Sequence, residues 1–112
     1  MSSLATITDD TFQRDVLEAE RPVLVEFTAS WCPPCRMIAP HLEALDADRD
    51  DLRVVQVDVD DSQAVAARYG ILSMPTLVLF RAGRELGRIV GAMPRRRFEP
   101  QIDGWLGGAA AA

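Results

Sequence analysis

The chain contains two cysteines, and they stand three apart in the run Trp31-Cys32-Pro33-Pro34-Cys35. The run lies between an apolar stretch, Val23 to Ala29, and the start of a helical pattern. A cysteine placed at a helix N-terminus meets unpaired backbone N–H groups and the positive end of the helix dipole. Both favour a thiolate, which is the nucleophilic form of the side chain. A second cysteine about one turn further on can reach the first and close a disulfide. The chemistry this permits is thiol–disulfide exchange: Cys32 attacks a substrate disulfide, and Cys35 resolves the mixed disulfide that forms.

Other uses of the pair fit less well. A static disulfide closing so short a loop removes little entropy from the unfolded chain, so it would be a weak staple. A structural zinc site needs four ligands, and His41 is the chain's one histidine. With Cys32 and Cys35 it makes three, so no metal is expected. Glu26 is the next residue of interest, because Val23, Leu24, Val25 and Phe27 surround it in sequence. A carboxylate in an apolar strand is costly unless paired or protonated. The chain has no lysine to offset such a charge, all twelve cations being arginine, so the pKa of Glu26 should be raised. A solvated position on the half-polar face of Leu24, Glu26 and Thr28 is the competing expectation.

Elements that position these residues follow from periodicity. Thr8 reads as the N-cap of a helix to about Glu20, with Asp9 and Asp10 in its first turn and Phe12, Val16 and Leu17 at helical spacing. Val23 to Ala29 reads as a strand. From about Cys35, the residues Met37, Ile38, Leu42 and Leu45 share one helical face, and Pro40 should kink that helix. Leu52 to Val59 is a valine-rich strand, and Ser62 to Tyr69 a short helix stopped by Gly70. Thr76 to Phe80 and Glu85 to Val90 are strands joined by a turn at Ala82-Gly83, hence a hairpin. A last helix follows Pro94, from Arg95 to about Leu106, and Leu4 to Ile7 reads as an edge strand. Strands alternating with helices, then a hairpin and a closing helix, give a three-layer α/β domain with a mixed sheet. One domain over residues 1–106 is expected, with 107–112 a flexible Gly/Ala tail.

The 112 residues carry a net charge of −5 with both signs intermixed, which argues against nucleic acid as a partner. No apolar stretch approaches the ~20 residues of a membrane span, and the first residues carry no basic, apolar leader pattern. A cytoplasmic, membrane-free protein is the expectation. Asp58-Val59-Asp60-Asp61-Ser62 superficially suggests a calcium loop. It has Gln63 and Tyr69 where such a loop needs glycine and glutamate, so it reads as a solvated turn. Arg95-Arg96-Arg97 could attract a phosphate or acidic partner, but three arginines opening a surface helix are usually just solvated. The stretch Asp46 to Asp51 reads as a solvated helix end, and His41 as a surface residue.

From about Thr8 to Leu106 the sequence resembles the thioredoxin family. Five segments carry the resemblance: Val23 to Cys35, Arg36-Met37-Ile38-Ala39-Pro40, Arg68-Tyr69-Gly70-Ile71, Met74-Pro75-Thr76-Leu77 and Val90-Gly91-Ala92. It implies a central five-stranded mixed sheet flanked by four helices, and a cis peptide before Pro75 beside the cysteines. It implies a substrate groove shaped by Trp31, Pro33, Met74, Pro75, Val90, Gly91 and Ala92. Glu26 takes the place of the family's buried aspartate, the proton acceptor for Cys35. The activity implied is protein-disulfide reduction by a monomer, with no cofactor beyond the Cys32–Cys35 disulfide. Oxidised target proteins would be its substrates, and an NADPH-dependent thioredoxin reductase its electron source. The chain departs from the family at Pro33 for glycine, Glu26 for aspartate, Thr28 for an aromatic residue and Gln56 for lysine. A binding module of the same fold, or an exchanger that oxidises or isomerises disulfides, would carry the same motif.

Overall fold

A computed structural model describes residues 3–111, with side chains through residue 107. In chain order it contains β1 (Ala5–Thr6), a π-helical turn (Gln13–Leu17), β2 (Val23–Thr28), α1 (Pro33–Asp48) and β3 (Arg53–Asp58). These are followed by α2 (Gln63–Arg68), β4 (Thr76–Arg81), β5 (Arg84–Val90) and α3 (Arg95–Ala111). The strands form one sheet in the order β1-β3-β2-β4-β5. β1 and β2 run parallel to β3, whereas β4 is antiparallel to β2 and to β5, which makes the sheet mixed.

Alternation along the strands divides the core between the two faces. Val23, Val25 and Phe27 pack with Phe12, Val16, Val55, Val57 and Phe80 on the face of the π-helical turn and α2. There the rings of Phe12, Tyr69 and Phe80 meet at centroid separations of 5.1–5.6 Å. Leu24 lies on the opposite face with Leu42 and Leu45 of α1 and Phe98 and Ile102 of α3. Both faces of β2 and β4 are therefore covered, and their sequences run almost wholly apolar.

Several boundaries differ from the sequence expectations. The edge strand keeps two residues, Ala5 and Thr6. Thr8 is not a side-chain cap; its carbonyl accepts from the Thr11 and Phe12 amides at 3.1 and 2.9 Å. Asp9 instead caps α2, accepting from the Ala64 and Val65 amides at 3.3 and 2.9 Å, where Ser62 makes no side-chain cap bond. Helix α1 begins two residues early, because proline at its first positions has φ preset and no N–H to lose. It runs on through Pro40. Helix α3 continues past Leu106 to Ala111, alanine being the strongest helix former. Met37 leaves the buried face of α1, which is Cys35, Ile38, Leu42 and Leu45.

Candidate active site

The registers gather the site at one end of the sheet. Thr28 pairs with Asp58 at the C-terminal ends of β2 and β3, and Phe27 pairs with Thr76 at the start of β4. Thr76 in turn pairs with Val90 at the end of β5. The segments Ala29–Pro34, Val59–Ser62, Ser73–Pro75 and Gly91–Pro94 thus converge beyond the same sheet edge, the usual place for a site in an α/β sheet.

Cys32 is the N-cap of α1, and it forms a disulfide with Cys35, with a Cα–Cα separation of 5.3 Å. The Cys35 amide donates to Cys32 Sγ at 3.3 Å. Pro33 and Pro34 have no N–H, so the Cys35 amide is the first donor the helix can offer that sulfur. Both cysteines are buried and pack with Ala29, Val59 and Met74. Cys32 Sγ lies 3.5 Å from the Met74 carbonyl oxygen. The Met74–Pro75 peptide is cis, as the resemblance implies, and the Gly91 amide donates to the Pro75 carbonyl at 2.8 Å. Around this centre Trp31 and Val90 are 61% and 59% exposed, and Pro33 and Ala92 are exposed as well. Of the residues assigned to the groove by resemblance, Trp31, Pro33, Val90 and Ala92 thus present apolar surface to solvent at this end of the sheet, Met74 and Gly91 are half-buried, and Pro75 is buried.

Glu26 is 2% exposed, which removes the solvated-face alternative. It lines a cleft with Cys35, Thr28, Ala39, Pro40 and Gln56. Its Oε2 has no hydrogen-bond partner among the described residues. Gln56, its neighbour in β3, donates to Thr6 Oγ1 at 3.1 Å. Burial of the carboxyl pushes its pKa up to about 7.

Other neighbours of the site were not legible as such. Trp31 Nε1 donates to Asp60 Oδ2 at 2.7 Å, which fixes the indole over the turn after β3. That turn is itself held by Asp58, whose carboxylate accepts from the Asp60 and Asp61 amides. The acidic run read as a plain solvated turn is thus a mount for Trp31. His41 is partly buried rather than a free surface residue, and its Nδ1 accepts from the Arg95 amide at 3.3 Å. Arg95 is not merely solvated either, because it pairs with Glu99 and Asp48. Among the described residues, no three or more His, Cys, Asp or Glu side chains gather as a metal site, and no helix is long and apolar enough to cross a membrane.

Comparison with known proteins agrees with this geometry. The family model described as thioredoxin matches residues 3–104. A thioredoxin of Streptomyces clavuligerus is 48% identical over 92 residues, covering 82% of this chain and 86% of the relative. Thioredoxin 1 of Synechococcus elongatus is 43% identical over 104 residues, covering 92% and 97% respectively. A chloroplastic M-type thioredoxin of Chlamydomonas reinhardtii is 41% identical over 101 residues, covering 89% and 72%.

Proposed function

The chain belongs to the thioredoxin family and is a protein-disulfide reductase, and on that premise we propose how its residues divide the work. Cys32 is the attacking nucleophile, and Cys35 is the resolving thiol. The observation that supports this order is the Cys35 amide directed at Cys32 Sγ from the first turn of α1. That donor stabilises a thiolate on Cys32 and does nothing for one on Cys35.

In the reduced protein the Cys32 thiolate attacks one sulfur of a target disulfide. An S–S bond forms to Cys32, and the target's other sulfur leaves as a thiolate that takes up a proton. Cys35 then gives its proton to Glu26 and attacks Cys32 Sγ. The second target sulfur leaves reduced, and the Cys32–Cys35 disulfide remains. A buried carboxyl that titrates near neutrality can both take and return that proton. Trp31, Pro33, Met74, Pro75, Val90, Gly91 and Ala92 hold the target chain across the cysteines. Two electrons from an NADPH-dependent thioredoxin reductase restore the dithiol. The protein works as a cytoplasmic monomer in electron transport to oxidised target proteins, and it needs no bound cofactor.

Replacement of each cysteine tests the assignment. Cys32→Ser should abolish dithiothreitol-driven reduction of an accessible protein disulfide. Cys35→Ser should accumulate mixed disulfides with targets, because attack survives while resolution does not. Full turnover by Cys32→Ser, or trapping by Cys32→Ser instead of Cys35→Ser, would reverse the roles.

A further inference from the structure

Helix α1 leaves one large apolar residue facing water. Met37 is 72% exposed, whereas Ile38, Leu42 and Leu45 are buried. Pro33, Met37 and His41 follow one another at intervals of four, so they form a stripe down the helix from the disulfide. Across from that stripe runs the segment after β5. Met37, Ile38 and His41 on one side and Ala92, Met93 and Pro94 on the other line a pocket of about 160 Å³ that opens to solvent. A cavity of roughly 150 Å³ is enough to hold a benzene ring.

Both walls are fixed to the chemistry. His41 Nδ1 holds the Arg95 amide, which ties the Met93–Pro94 wall to α1. Two residues before that wall, the Gly91 amide holds the carbonyl of Pro75, and Met74 packs on the cysteines. Two of the lining residues, Met37 and Met93, are methionines, whose unbranched, polarisable side chains adapt to varied apolar partners. We propose that this pocket is a subsite of the target groove, taking one bulky apolar side chain, of leucine or phenylalanine size, from the polypeptide held on Cys32.

The occupant follows from continuity with Cys32. Helical rise of ~1.5 Å per residue puts Met37 about 8 Å and His41 about 13 Å along α1 from Cys32. An extended chain advances ~3.3 Å per residue, so the side chain that fits lies about two to four residues from the target's own cysteine. The inference rests on the reductase reading in one respect, that the target is attached to Cys32.

The test uses the reduced protein and peptides carrying one cysteine in mixed disulfide with a small thiol. Leucine or alanine is placed two, three or four residues to either side of that cysteine, and rate constants for reduction are compared. At one such position the leucine peptide should react at least about fivefold faster than its alanine counterpart, part of what a closed apolar pocket would give. In Met37→Glu that ratio should fall below about two, and in Met37→Leu it should return. Because it compares two peptides on one protein, the ratio is independent of the fraction folded. Reduction of hydroxyethyl disulfide by the unaltered protein with no leucine preference at any position would overturn the subsite alone. A preference that survives Met37→Glu would also overturn it. Failure to reduce hydroxyethyl disulfide as well as the peptides would overturn the reductase reading together with the subsite.

Discussion

Glu26 is a residue whose position its neighbours dictate and whose chemistry its surroundings change. Strand alternation puts it on the face of Leu24, and the register sets it opposite Leu77 on one side and Gln56 on the other. With its pKa raised to about 7 in the folded protein, Glu26 keeps its proton while the unfolded chain loses it above about 4.5. The folded state then binds more protons than the unfolded one, so stability is fully present below pH 4.5 and declines as pH rises toward 7. Glu26→Gln should abolish that decline and stabilise the protein at pH 8, by an amount on the order of 3 kcal/mol. Denaturant titration at pH 5 and pH 8 measures it. The same variant should slow resolution by Cys35 more than attack by Cys32, read in single-turnover kinetics. Stability equally pH-dependent in both proteins would mean that Glu26 is charged when folded. The cysteine pair and Glu26 were legible because sequence neighbours reveal them. Asp60 under Trp31 and His41 under Arg95 were not, because those partners are 29 and 54 residues apart.

At the scale of the element, local chemistry told more about strands and turns than about helix ends. The β4–β5 turn was readable from Ala82-Gly83, and both residues have positive φ, 53° and 78°, as a two-residue type I′ hairpin requires. Gly83 adopts that conformation freely, but Ala82 carries a Cβ that crowds its own backbone there. Asparagine tolerates the left-handed region and is favoured at this position. Ala82→Asn should therefore raise stability by about 0.5–1 kcal/mol without changing disulfide reduction, as thermal unfolding and a turnover assay can establish. A loss of stability would mean that the hairpin depends on something other than backbone conformation. The π-helical turn before β2 is not distinguishable in sequence, because its apolar residues fit an ordinary helix equally well. The role of Asp9 is hidden for another reason: a carboxylate near one helix start is indistinguishable in sequence from a cap for another.

Over the whole molecule, chemistry and reinforcement occupy different ends of α1. The cysteines stand at its N-terminus, and the far end is joined to α3 by ion pairs. Arg49, just past the helix, contacts Asp51, Glu99 and Asp103 at 2.7, 3.2 and 2.7 Å. Arg95 adds Asp48 and Glu99 from the same side. The fold class was legible in the order of strands and helices, but this network was not, since charge runs look alike in sequence whether solvated or paired. Most of its carboxylates remain well exposed, with Asp51 60% and Asp103 54% accessible, so water and salt weaken each pair. Arg49 itself is 17% accessible and bridges three carboxylates, which favours a measurable net effect. Arg49→Met keeps the packing of the stem and removes the charge. It should lower stability by about 1 kcal/mol in low salt and by less in molar salt. The 16 residues of α1 span about 24 Å, so the rate of target reduction should be unchanged. A folded Arg49→Met protein with impaired reduction would show that the far end of α1 sets the geometry of its N-terminus, and this separation of roles would have to be abandoned.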